Sequence, residues 1–112
     1  MPITRAISIR QPYVEQIFRR TKRFEYRTVP TNIRERVWIY ASLTPADDRS
    51  AWRELKKQPG ELPTGAIVGS VEILGCYKRA DDFAYRLVAP KRLRRPKRAK
   101  NQPQPLFWIP KF

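Results

Sequence analysis

The side chains of this sequence best equipped for chemistry are cations, and they fall in two clusters. Residues 91–100 read KRLRRPKRAK, with seven basic positions in ten, among them Arg92, Arg94, Arg95, Lys97 and Arg98. The other cluster, Arg10, Arg19, Arg20, Lys22, Arg23 and Arg27, lies in a stretch patterned to fold. Such groups neutralise phosphates, although a bare charge run is as readily a solvated face as a nucleic-acid arm. The distribution shifts that balance. Of the net charge of +14 (24 Lys+Arg against 10 Asp+Glu), residues 91–112 supply +8 and residues 1–90 supply +6. A surplus confined to the tail would suggest a localisation signal, whereas a surplus in the body as well suggests a surface for nucleic acid, RNA or DNA.

Composition removes other chemistries. With no histidine and Cys76 as the one cysteine, the chain builds neither a zinc site of the usual ligands, nor a disulfide, nor a Ser-His-Asp or Cys-His pair. Four scattered glycines, Gly60, Gly65, Gly69 and Gly75, make no phosphate-cradling loop. No cofactor and no metal are expected. The opening residues MPITRAISIRQP lack the apolar core of a secretory signal, and no stretch approaches the roughly 18 apolar residues of a membrane span. A cytoplasmic, monomeric, single-domain protein over residues 1–112 is the expectation, with 41% apolar and 12% aromatic residues available for a packed interior.

The elements that must hold the cations follow from periodicity. AISIR (6–10) alternates as a half-buried strand, with Ile7 and Ile9 inward and Ser8 and Arg10 outward. Pro12 suits a first helical turn, and Tyr13, Val14, Ile17 and Phe18 recur at helical spacing to about Arg20. FEYRT (24–28) alternates again, with Glu25 and Arg27 opposite Phe24 and Tyr26, while RVWIYA (36–41) is dense enough for a strand buried on both faces. Thr44 as cap, Pro45 at the first position and Asp47 as capping-box acid predict a helix over 45–57 that buries Trp52 and Leu55. Two β-like runs follow at 66–76 and 83–88, with Gly69 and Gly75 suited to bends. The basic stretch 91–104, interrupted by prolines, reads as an extended loop closed by a strand at about 105–109, on a sheet edge that tolerates Pro105 and Pro110. The result is an α+β domain, a small, mostly antiparallel β-barrel of five to six strands with two helices.

Three segments carry a resemblance: AISIRQPYVEQIFRRTKRFEYRT (6–28), VWIYAS (37–42) and GAIVGSVEI (65–73). They resemble the ASCH (activating signal cointegrator homology) family of the PUA-like superfamily, whose first half typically reads S-[IM]-x-Q-P-[YW], a helix, then G-x-K-x-x-E-x-R. Here Ser8, Ile9, Arg10, Gln11, Pro12 and Tyr13 fill the first motif and Lys22, Glu25 and Arg27 the second, with Thr21 in place of the usual glycine. The resemblance implies a PUA-like barrel with a cleft beside the first helix and RNA as the ligand.

On that basis the candidate nucleic-acid-binding residues are Arg10, Gln11, Tyr13, Lys22, Arg27 and Ser42, together with Arg92, Arg94, Arg95, Lys97 and Arg98 of the basic run. Tyr13 is either a core residue or a ring for stacking a base, a contact of roughly 1–3 kcal/mol. Ser42 either faces the cleft or caps a turn. Lys22, Glu25 and Arg27 form either a structural ion-pair network or part of a lined cleft. Glu25 is the odd member among cations; it orients Lys22 or Arg27, accepts from a base edge, or acts as a general base. The alternative to a binding module is a metal-independent PUA-like hydrolase or ribonuclease acting on RNA or a modified nucleoside. In that case Lys22, Glu25 and Tyr13 would be catalytic, although the amidohydrolase relatives carry threonine where Glu25 stands. A weaker alternative is an adaptor for acidic protein surfaces. Cys76, Trp38 and Trp52 read as core, and Trp108 as either core or a stacking platform.

Overall fold

The computed structural model describes residues 2–112. The chain runs β1 (Ala6–Ile9), α1 (Tyr13–Phe18), β2 (Phe24–Arg27), β3 (Arg36–Ala41), α2 (Arg49–Leu55), β4 (Ala66–Lys78), β5 (Phe83–Lys97) and β6 (Phe107–Trp108). The strands form one six-stranded sheet in the order β2-β5-β4-β3-β1-β6, curled into a half-barrel. β1 and β3 pair in parallel and every other neighbouring pair is antiparallel.

Although β1 alternates in sequence, all four of its residues are buried, which corrects the half-exposed reading. It lies between β3 and β6 with an apolar cluster on each face. Ile7 and Ile9 enter the main core with Val14 and Ile17 of α1, Val37 and Ile39 of β3, and Tyr85 of β5. Ala6 packs on the other side with Tyr40, Ile67 and Trp108.

α1 ends at Phe18, short of Arg20, because Arg20 turns left-handed (φ 64°) and the amides of Thr21 and Lys22 both donate to the Gln16 carbonyl. α2 is shorter than the expected 45–57. Its cap is Asp48, whose Oδ1 accepts from the Ala51 amide at 3.0 Å, in place of Thr44 with Asp47. The backbone just before it is engaged elsewhere: the Ala46 amide donates to the Gln11 carbonyl at 2.7 Å, and the Ala46 carbonyl accepts from the Trp52 indole at 3.0 Å. Tertiary hydrogen bonds thus outcompete a first helical turn there. Trp52 and Leu55 are buried, as their spacing implies.

The basic stretch requires the largest correction. β5 continues to Lys97, so residues 91–97 are strand and loop structure begins only at Arg98. Gly69 pairs with Arg92 and Ile67 with Lys97, so Leu93–Pro96 bulge opposite Val68, where Pro96 interrupts no regular ladder. Leu93 and Ala99 pack against the Ala6–Trp108 cluster and anchor a run whose charges face solvent. The last strand is reduced to Phe107–Trp108 on the β1 edge.

Gly69 lies at one of the register shifts that curl the β4–β5 ribbon. A Cβ there would stand 2.5 Å from Phe18 Cζ and press on the Lys91 carbonyl. Because that carbonyl is backbone and cannot swing aside, Gly69→Ala is expected to cost about 1–3 kcal/mol by overpacking. Thermal unfolding followed by circular dichroism checks this; an unchanged midpoint would show that the α1–β5 contact is looser than its geometry.

Candidate functional site

The turn from β1 into α1 is held from beneath by Gln11, which is only 1% exposed. Its Nε2 donates to the Pro63 carbonyl at 3.1 Å, and its Oε1 accepts from the Glu15 amide at 3.1 Å. Both ends of the amide are therefore occupied, and Gln11 serves as a strut, not as the ligand contact expected of it. Tyr13, next to it, is half-buried and points outward. Its hydroxyl donates to Asp48 Oδ2 at 2.7 Å and so joins α1 to the cap of α2. Burial, then the hydrogen bond and charge of Asp48, push the Tyr13 phenol up to about 12.

On β2, strand alternation puts Glu25 and Arg27 on one face. Glu25, 7% exposed, accepts from Arg27 Nε at 2.8 Å and lies 3.7 Å from Lys22 Nζ. Arg27 Nη2 also donates to the Ser8 carbonyl on β1. The Lys22 ammonium sits between two rings, 5.2 Å from the centre of Tyr13 and 4.9 Å from that of Tyr26. Burial lowers the Lys22 pKa below the ordinary value, and Glu25 only partly offsets this.

These groups border a cleft of about 460 Å³, lined by Ser8, Arg10, Tyr13, Glu25, Arg27 and Ser42. Its far wall is Pro103–Leu106, tied down through Ser8, whose Oγ donates to the Gln104 carbonyl at 2.7 Å and accepts from the Trp108 indole at 3.0 Å. Trp108 is thereby a core residue, edge-on to Tyr40 at 5.3 Å. Lys22 lies behind Tyr13 and lines a neighbouring hollow of about 520 Å³ with Asp48 and Glu54. Five of the expected residues (Arg10, Tyr13, Glu25, Arg27 and Ser42) therefore converge on the cleft, and Lys22 reaches it only through Glu25.

Of the basic run, Arg92 is engaged within the fold. Its Nη1 and Nη2 donate to the two carboxylate oxygens of Glu15 at 2.8 and 3.0 Å, and its guanidinium covers the Phe18 ring at 4.5 Å. Arg94, Arg95, Lys97 and Arg98 are exposed, with Lys97 over the Phe112 ring at 4.2 Å. The sequence reading missed the Pro103–Leu106 wall and Asp48. The only signal for Asp48 was its place three residues before Ala51, masked by the Thr44-Pro45 cap pattern.

A curled, mixed half-barrel with two helices and a cleft beside the first of them is a small α+β PUA-like fold. The ASCH domain family profile matches residues 7–99, and the chain belongs to that family. No curated protein matches the sequence. Among the described residues, no helix is long and apolar enough to cross a membrane.

Two outcomes follow from this geometry. Burial alone would raise the Glu15 carboxyl, but the hydrogen bonds from Arg92 and Arg19 outweigh it and hold the group below its ordinary value. A depressed carboxyl stabilises the fold above its unfolded pKa, and that stability is lost as pH falls through the folded pKa. Arg92→Ala should therefore cost about 1.5–3 kcal/mol at neutral pH, the range for hydrogen bonds to a charged group. Denaturant unfolding across the acid range should show the gap to wild type closing as Glu15 protonates. In Asp48→Ala, tyrosine ring NMR should find Tyr13 titrating below about 12 but above the ordinary 10.0, because burial remains after the hydrogen bond is lost. A Tyr13 titration unmoved by this substitution would remove Asp48 from the site.

Proposed function

We propose that the chain is an RNA-binding module that holds a base in the cleft beside α1 and grips backbone phosphates with the exposed end of β5. The observation that carries this reading is the convergence of Arg10, Arg27, Tyr13 and Ser42 around the buried Glu25 carboxylate in one cleft. Arg10 is exposed and suits a phosphate at the rim. Tyr13 offers a ring face for stacking, and Glu25 is an acceptor for the exocyclic amine of a base, a contact that uracil lacks. Arg94, Arg95, Lys97 and Arg98 supply contacts indifferent to sequence. Arg92 is left out of this set because Glu15 occupies it.

Affinity for single-stranded RNA should fall with a log–log salt slope near −0.7 per neutralised phosphate, so about five contacts give roughly −3.5. Fluorescence anisotropy over a salt series measures it. R94A/R95A/K97A/R98A should flatten the slope for every sequence, whereas Glu25→Gln should erase a preference worth about 1–3 kcal/mol for amine-bearing bases over uracil. Absent or salt-insensitive binding at low ionic strength would overturn the reading.

One observation favours a second reading, an enzyme acting on RNA or a modified nucleoside: burial lowers the pKa of Lys22, and its amine lies 3.7 Å from Glu25. A lysine so placed is a nucleophile or base with a carboxylate partner. Tyr13 is poorly suited to join them, since its proton is committed to Asp48. Incubation with labelled RNA and with acetylcytidine, beside Lys22→Ala, tests this; product formed equally by the variant would refute it.

A further inference from the structure

On the other side of Lys22 from the cleft lies a groove of about 360 Å³ between the end of α1, the turn after it and β5. Four cations, Arg20, Lys22, Arg23 and Arg86, rim it, and no carboxylate is among its lining residues. Its floor is apolar, built from Phe24, Val71, Leu87 and Pro90. Elsewhere cations are matched by carboxylates: half-buried Arg27 by Glu25, and exposed Arg92 and Arg79 by Glu15 and Asp82. Arg20, Arg23 and Arg86 have no ion pair and no side-chain hydrogen bond among the described residues. Their placement is fixed by the backbone. Arg20 is held in a left-handed turn (φ 64°), the Arg23 carbonyl accepts from the Leu87 amide at 2.9 Å, and Arg86 stands opposite Phe24 in the β2–β5 ladder. Like charges held in a concavity repel one another, and a polyanion relieves that repulsion.

Lys22 connects this groove to the cleft. Its amine reaches Glu25 at the cleft floor, it lines both the groove and the neighbouring hollow, and Tyr13 borders both that hollow and the cleft. We infer that the Arg20–Arg23–Arg86 groove is a second anion site, which takes the phosphodiester backbone of the nucleotides flanking the base held in the cleft. The inference rests on the RNA-binding reading above. It assigns the strand a path from the cleft, past Tyr13 and Lys22, into the groove, with the apolar floor beneath sugars and bases.

The test compares R20A/R23A/R86A with R49A/R53A/K78A, which removes equal charge from surfaces outside the cleft and groove. Each is titrated with a cytidine trinucleotide and with an oligocytidine of about 12 nucleotides, whose bases carry the exocyclic amine that Glu25 accepts, within the span of roughly 4–16 that a small barrel covers. The groove variant is expected to flatten the salt slope for the longer RNA by about 2, from three lost phosphate contacts at about 0.7 each, and to lose the affinity gain of the longer RNA over the trinucleotide. The second variant should lose less of both. Equal losses in the two variants would mean that net charge alone acts, which overturns the groove and leaves the cleft standing. Wild-type protein that binds neither RNA at low salt overturns both readings. Thermal melts of all variants confirm folding; the three groove arginines have exposed, unpartnered side chains, so their removal leaves no buried carboxylate behind.

Discussion

The guanidinium of Arg27 holds together two strands that the sheet leaves apart. β2 stands first in the strand order and β1 next to last, with no ladder between them. Arg27 spans the gap by donating to the Ser8 carbonyl on β1 while its Nε holds Glu25 on its own strand. A carboxylate as buried as Glu25 is stable only while partnered, since leaving one charge of such a pair alone costs several kcal/mol, roughly 3–5. Closure of the half-barrel and the polarity of the cleft are therefore one set of interactions. The sheet curls far enough for side chains to meet across the seam but not for backbones to pair, and the space left at the seam is the cleft.

Where the sequence was readable, local patterning and tertiary structure agreed. Alternation in 24–28 placed Glu25 and Arg27 on one face, and the dense run at 36–41 became an interior strand. The motif positions Arg10, Tyr13, Glu25 and Arg27 line one cleft. What was illegible depended on which groups the folded chain brings together. The Thr44-Pro45 pattern predicts a helix start, but Gln11 and Trp52 claim the backbone of Ala46 and delay the helix to the Asp48 cap. Gln11 has the chemistry of a ligand contact, and only the fold reveals that Pro63 and Glu15 consume its amide.

The net charge of +14 likewise divides by context. Arg92, near the start of the most basic run, is structural because Glu15 is buried within its reach. Its neighbours remain free on a strand that Leu93 and Ala99 fasten to the core. A ribbon anchored at two points, Leu93 and Ala99, presents the cations between them at fixed positions, with less conformational entropy to lose on binding than a loose tail.

The wall at Pro103–Leu106 lies beyond residues 7–99, the part that carries the family likeness. It is fastened through Ser8, whose amide donates to the Leu106 carbonyl at 2.8 Å and whose hydroxyl, held by the Trp108 indole, donates to the Gln104 carbonyl, while Pro103–Pro105 stay outside the strand ladders. Cleft floor and cleft wall therefore answer to different constraints. The floor is bound into sheet closure and cannot change without loosening the half-barrel, whereas Pro103, Gln104 and Pro105 can exchange size and polarity while their tether holds. In such a scaffold the shape and polarity of the cleft are free to diverge at the wall while the floor stays fixed.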